Sequence, residues 1–362
     1  MTQDVLERPQ TSATEAPDKA KVLARLEEIY RRNRDREFRE TAERLEGLRT
    51  SFKSERDEIF SRELRDSIKG GIVRGGDDPR GPGQRYQSLA KARESGVDLT
   101  RLKSLHDRVY GKFDEVVKPH SAFTYHENVI GALDDILWIP PITWFPDPDK
   151  EKLYYPTYDG WWDRFEQNQA SGDGNIDVND TYLEENMARL GSHLVAHNHD
   201  AGDIDLICAY RESGFLVPFK TLKTGILQVK ADLSALFCQH RITTDDEWGW
   251  SDFHATTRGR LILAVFWNWE DVDPANEVSD DFFVSGLDCS GDGEDYPGTV
   301  VEATPGERRI INLYTSMAFP PNQNLWVYVG LSDRIYAFLN DVSIDISIDF
   351  AWRLNSIGVR SI

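Results

Sequence analysis

Between Val342 and Leu354 the chain alternates without a break. Val342, Ile344, Ile346, Ile348, Phe350, Trp352 and Leu354 fall on one side, and Ser343, Asp345, Ser347, Asp349 and Arg353 on the other. Successive side chains of an extended chain point to opposite faces, so this pattern demands a strand with one apolar and one wet face. The same period recurs where Leu227, Val229, Ala231, Leu233, Ala235 and Phe237 are separated by Gln228, Lys230, Asp232 and Ser234. Further strands are expected at 191–199, 203–210, 214–219, 260–269, 281–287, 299–303, 308–318 and 325–331, several of them bounded by Gly, Pro and Asp clusters. No helical pattern intervenes. Residues 186–362 are therefore expected to form an antiparallel β-sandwich, with the jelly roll as one arrangement of that many strands.

The other end of the chain is built differently. All ten tryptophans lie at or beyond Trp138, whereas residues 1–115 hold four phenylalanines and a ladder of 25 Lys and Arg against 23 Asp and Glu. Residues 1–17 have the composition of a disordered tail. From Asp18 apolar residues take a helical period: Leu23, Leu26 and Tyr30, then Phe38, Leu45, Phe52 and Ile59 every seventh residue. Such spacing predicts an amphipathic helix to about Ile68, paired either as a coiled coil or as an intramolecular hairpin. Gly70 to Gly83 reads as a loop, Tyr86–Glu94 as a short helix, and Asp98 as the N-cap of a helix with Leu99, Leu102, Leu105, Val109, Phe113 and Val116 on one face. The chain thus divides into a tail (1–17), a helical domain (18–118), a Pro- and aromatic-rich connecting segment (119–185) and the sandwich (186–362). Together they make an α+β multidomain protein.

Charge narrows the partners. The leader is nearly balanced at +2, which leaves −22 for residues 116–362 out of a total of −20. An acidic body repels phosphate backbones and anionic lipid heads, so nucleic acid and membrane insertion are not expected. Three cysteines (Cys208, Cys238, Cys289) cannot all pair within one chain. The polar start of the sequence has no apolar signal core, and a cytoplasmic location is the expectation.

Three sets of residues could bind a ligand. In Gly191-Ser-His-Leu-Val-Ala-His-Asn-His-Asp, a strand places His193, His197 and His199 on one side, and with Asp203 nearby they could hold a divalent metal. The spacing of Gly191, His197 and His199 resembles the first motif of the cupin family, which implies a metal-dependent enzyme on a jelly roll. Asp203 stands where that motif has glutamate, the downstream glycine is displaced to Gly214, and Arg309 after Pro305-Gly306 occupies the place of a second-motif histidine. Asp173, Asn175, Asp177 and Glu184 fall at positions one, three, five and twelve of an EF-hand calcium loop, with Val178 where the turn needs glycine. Trp248 and Trp250, in a polar loop beside Asp252, are candidates for stacking on a sugar ring.

Nucleophile signals are sparse. Ser88-Leu-Ala-Lys91 fits a Ser-x-x-Lys pattern without its companion motifs, and there is no nucleophile elbow, Walker loop or dinucleotide fingerprint. The reading that follows is a non-enzymatic structural or binding protein. Its helices (18–118) associate with themselves, as a homo-oligomer, or with a protein partner, while the sandwich presents an acidic, aromatic surface. The alternatives are a cupin-like metalloenzyme and a carbohydrate-binding module or toxin component.

Overall fold

The computed structural model describes residues 19–73, 82–118, 151–154, 156, 161–171, 174–199, 203–245, 248–266, 276–289, 299–302 and 304–362. Its strands are β1 (Glu151–Tyr154), β2 (Trp161–Ser171), β3 (Asn175–Thr181), β4 (Arg189–Asn198), β5 (Ile204–Lys220), β6 (Gly225–Asp245), β7 (Asp252–Phe266), β8 (Asn276–Cys289), β9 (Thr299–Glu302), β10 (Arg308–Phe319), β11 (Asn324–Asn340) and β12 (Ser343–Ser361). All pairings among them are antiparallel. A seven-stranded sheet has the order β10-β6-β12-β4-β3, with β1 on β12 and β9 on β6, and a five-stranded sheet has the order β2-β5-β11-β7-β8. Pairing is nested: β4 with β12, β5 with β11, β6 with β10 and β7 with β8. Residues 151–181, read from sequence as part of a connector, already supply three strands of these sheets.

The two sheets close over one apolar core. The whole inward face of the period-two run, Val342 to Leu354, lies in it, together with Leu227, Val229, Ala231 and Leu233 of β6 and Val327, Val329 and Leu331 of β11. The segments read as separate strands at 203–210 and 214–219 form one strand, β5. Gly214 and Gly330 lie in register there, and a Cβ on either would stand within 2.5 Å of the Tyr328 ring. Two missing side chains give that ring a slot along the sheet. From it the phenol reaches Glu212 at 3.2 Å.

Strands β5 and β11 are buried on both faces because the helices cover the five-stranded sheet. The helices are α1 (Lys19–Ile59), α2 (Arg62–Val73), α3 (Pro82–Glu94) and α4 (Leu99–Val117). Phe38, Leu45 and Phe52, the heptad-spaced set, do not face a second chain. They pack with Leu105, Val109 and Phe113 of α4 onto Tyr210, Tyr328, Tyr336 and Phe338 of the same chain. The stripe of α1 is thus covered from within the chain, by α4 and the five-stranded sheet rather than by the next helix. The single helix expected to reach Ile68 breaks at Phe60, and Ser61 restarts it by accepting the Leu64 N–H at 3.3 Å. The expected breaker cluster is shorter than read: α2 runs through Gly70 and Gly71, and α3 begins at Pro82, where a missing N–H is harmless. Asp98 does cap α4, accepting from the Arg101 N–H at 2.9 Å. The expected tail, and residues 119–150 of the expected connecting segment, lie outside the described residues.

One polar cluster sits between the sheets. Ser192 is hydrogen-bonded to Asp333, and His240 Nδ1 lies 3.0 Å from Thr257 Oγ1. Gly259 leaves room for them: a Cβ there would stand 3.2 Å from Asp333 Oδ1 and 3.3 Å from His240 Nε2. Burial pushes the Asp333 carboxyl well above its usual range, despite the Ser192 hydrogen bond, and pulls His240 down to about 3.

Two outcomes are expected. Phe52→Ala, which empties a site touching Phe338 (5.5 Å) and His106 (5.2 Å), should cost about 3–5 kcal/mol in urea denaturation. For Asp333 the raised pKa means that the folded chain keeps a proton which the unfolded chain has released, so wild-type stability falls as pH climbs from the unfolded carboxylate value. Asp333→Asn removes that loss. Its Tm relative to wild type should rise between pH 4.5 and pH 8, and a difference that does not change with pH would contradict this.

Candidate functional site on the uncovered sheet

With the five-stranded sheet under helices, the outer face of the seven-stranded sheet is the large sheet surface left to solvent among the described residues. Alternation along β4 turns Leu190, Ser192, Leu194 and Ala196 inward and Arg189, His193, Val195 and His197 outward. On β12, Asp345, Ser347, Asp349 and Arg353 point the same way. Register places Asp345 beside His197 and Asp349 beside His193.

Midway along this face two small residues make a floor. Gly191 and Ala351 are in register and buried, and a Cβ on Gly191 would stand 2.2 Å from the Phe350 carbonyl oxygen. Side chains from neighbouring strands lean over that floor. Tyr182 and Phe237 meet edge to face at 5.5 Å, a geometry that aromatic pairs favour. The Arg189 guanidinium lies 4.6 Å from the Tyr182 ring centre and 5.1 Å from that of Phe237, and is held by Glu184 at 3.1 Å. His193 is parallel to Tyr182 at 6.3 Å. Tyr182 donates its O–H to Asp349 at 2.8 Å. Burial, then that hydrogen bond, pushes the phenol up to about 12, so it remains a donor at neutral pH.

Phe237 is on this face because of a register shift. The alternating run put it inside with Ala235, but the pairing with β12 slips between Ala351 and Trp352, opposite Phe237 and Ala235. A slip of one residue sends every later side chain to the other face. Cys238, His240 and Ile242 turn inward, and Phe237, Gln239 and Arg241 turn outward.

The expected metal set is only partly assembled. His197 and His199 stack at 4.3 Å, but each is turned to its own carboxylate: His197 Nδ1 to Asp177 at 2.5 Å, His199 Nε2 to Asp345 at 2.9 Å. His193 belongs to the Tyr182 cluster. Asp203 is elsewhere: Lys53 and Arg56 of α1 bind it, Arg56 at 2.5 Å. Among the described residues no three His, Cys, Asp or Glu side chains are placed to hold a metal.

The calcium loop is not a loop. Asn175 and Asp177 lie on β3, with Asn175 Nδ2 donating to Asp177 at 2.7 Å, and Glu184 pairs Arg189 across a turn. Strand geometry spreads ligands that an EF-hand would fold around one ion. Asp173 lies outside the described residues.

Trp248 and Trp250 are not at the surface. They are 5% and 3% exposed and stack on each other at 5.7 Å, while Phe60 meets Trp250 edge-on at 4.9 Å; Asp252 is 0% exposed and lies 2.7 Å from His106 Nδ1. A loop of apolar rings and glycine reads as exposed only until α2 and α3 cover it. Ser88, the serine of the Ser-x-x-Lys pattern, is on the buried side of α3 and accepts the Gly249 N–H at 3.0 Å.

No family model and no curated protein matches the chain. Among solved structures, a galactotriose complex of TmCBM61 is similar over 49% of this chain and 86% of its own, with 9% identity and a TM-score of 0.15. The family 11 carbohydrate-binding module of a Clostridium thermocellum cellulosomal cellulase covers 57% and 94%, with 13% identity and a TM-score of 0.13. A bacteriophage CBA120 tailspike enzymatic domain covers 54% of this chain but only 19% of its own, with 8% identity and a TM-score of 0.14. At these scores the likenesses define neither fold nor ligand.

Asp203 gives a measurable check on its placement. Burial opposes its ionisation, but the Lys53 and Arg56 hydrogen bonds outweigh that and hold the carboxyl at about 2. A depressed carboxylate contributes stability that is full above the unfolded pKa near 4 and is lost as pH falls through the folded value. Asp203→Asn should therefore cost about 2 kcal/mol or more at pH 7, since Asp203 is 16% exposed and its partner Arg56 is buried. The gap to wild type should close between pH 4 and pH 2 in denaturation curves.

Proposed function

We propose that this chain is a non-enzymatic binding protein that presents the outer face of its seven-stranded sheet to a ligand and uses its helices as a fixed cover for the other sheet. One observation carries the reading. The two sheets are treated differently: one is roofed by Phe38, Phe52, Val109 and Phe113, while the other keeps a pre-arranged set of Tyr182, Arg189, His193, Phe237 and Asp349 in partial contact with water. Such sites, with rings supplying contact and a few oriented polar groups supplying specificity, are what ligand recognition needs.

The nested pairing supports reading β4–β8 and β10–β12 as a jelly roll, in which β10-β6-β12-β4 faces β5-β11-β7-β8. A metal-dependent activity at His193, His197, His199 and Asp203 has less support, since Asp203 is engaged by α1. A protein partner or second copy docking on the helices would find the apolar stripe from Phe38 to Phe52 and that of α4 already packed on the sheet. No described helix is long and apolar enough to cross a membrane.

The test uses the full chain on oligosaccharide and peptide arrays, followed by hydrogen–deuterium exchange with the best binder. Protection is expected in 181–197 and 345–353. Protection confined to 36–117 would reverse the reading and make the helices the docking surface.

A further inference from the structure

We infer that the ligand of this face is a neutral saccharide, seated where Tyr182 and Phe237 lie over Gly191 and Ala351; the inference rests on the binding reading above. A pyranose ring has a face of C–H groups and an edge of hydroxyls. Its counterpart is an apolar ring surface rimmed by groups that both donate and accept. Tyr182 and Phe237, meeting edge to face, with the planar Arg189 guanidinium lying over both at 4.6 Å and 5.1 Å, supply such a surface, held low on the sheet because their floor has the two smallest side chains.

The rim groups are planar and already oriented. Asp349 is fixed by the Tyr182 hydroxyl at 2.8 Å, and Arg189 by Glu184 at 3.1 Å. His193 stands in register with Asp349 on β12 and with Asp180 on β3. Side chains fixed before binding lose little freedom on contact, which favours weak ligands such as sugars. The preference for an uncharged sugar follows from charge. Asp180, Glu184 and Asp349 outnumber Arg189 and its exposed register neighbour Arg353 on this face, Glu184 already engages Arg189, and the whole chain carries −20. A uronate or sulfate would enter against that field. The competing occupant is an apolar peptide, since Met187 and Leu236, next in sequence to the cluster, are exposed.

Full-length protein is titrated by calorimetry with matched neutral, uronate-containing and sulfated oligosaccharides chosen from the array, and with an apolar peptide. A neutral oligosaccharide should bind, and its affinity should fall at least tenfold in Tyr182→Ala and in Asp349→Asn. Tyr182→Phe, which keeps the ring and loses the hydroxyl, should fall in between. Tyr86→Ala, on the 68% exposed Tyr86 of α3, should match wild type, and circular dichroism confirms that each variant is folded. Tighter binding of the charged sugars overturns the neutral assignment. Sugar binding indifferent to Tyr182→Ala and Asp349→Asn overturns the site. A peptide bound on this face and lost in Tyr182→Ala, with no saccharide bound, overturns the sugar while the binding reading stands. If no probe binds and no exchange is protected on this face, both fall.

Discussion

Arg56 is 1% exposed and has no water to keep its charge, so what surrounds it decides how the molecule is put together. Its guanidinium donates to Asn340 Oδ1 at 2.6 Å and to Asp203 at 2.5 Å. Asn340 opens the β11–β12 turn, and the next residue, Asp341, sits in the left-handed region at φ 53°. Asp341 accepts the Trp250 indole N–H at 2.8 Å and pairs with Lys69 at 3.3 Å, while Asn340 donates to the Trp250 carbonyl at 3.1 Å. One tight turn thus ties α1, α2, the Trp-Gly-Trp turn and the body together. A buried ion pair of this sort adds little net stability over an apolar substitute, but losing one partner strands the other without solvent. Its effect is on geometry: the helices have one place to dock.

That docking selects the surface available for function. The five-stranded sheet carries Tyr210, Trp326, Tyr328, Tyr336 and Phe338 on its outer side, and bare it would be a large apolar patch of the kind that soluble chains avoid. The charge ladder of α1 can roof it because the ladder and the apolar stripe are different sides of the same helix. Arg334 shows the fit at close range: it is buried against Tyr210 at 5.0 Å and paired with Glu37 of α1 at 3.1 Å. With one sheet spent on this packing, ligand chemistry falls to the other.

How far this could be read from residues alone depends on where the deciding contact lies. The alternation from Val342 to Leu354 is local, and every residue of its apolar side is in the core. The Asp98 cap is equally local. What α1 pairs with was not legible, because heptad spacing states that a stripe exists and not what covers it. The exposure of Trp248 and Trp250 was misread for the same reason, as their cover comes from residues 60–102. Phe237 was lost to a register slip that depends on β12, more than a hundred residues away. The visible trace of the site was Gly191, a glycine inside a strand, which marks close approach of other groups. It was read as part of a histidine motif instead.

The two polar groupings differ in what can reach them. Burial displaces the proton affinities of Asp333 upward and of His240 downward, yet both are sealed between the sheets. Displaced affinities point to chemistry when a cleft leads to them, and structural networks produce them as well. No substrate atom can reach within a proton-transfer distance of groups that no solvent touches. On the outer face the situation is reversed. Tyr182, Arg189 and Asp349 are accessible, but each is already held by a neighbour in a fixed geometry. Groups that can be reached and are held still are what the proposed binding role requires.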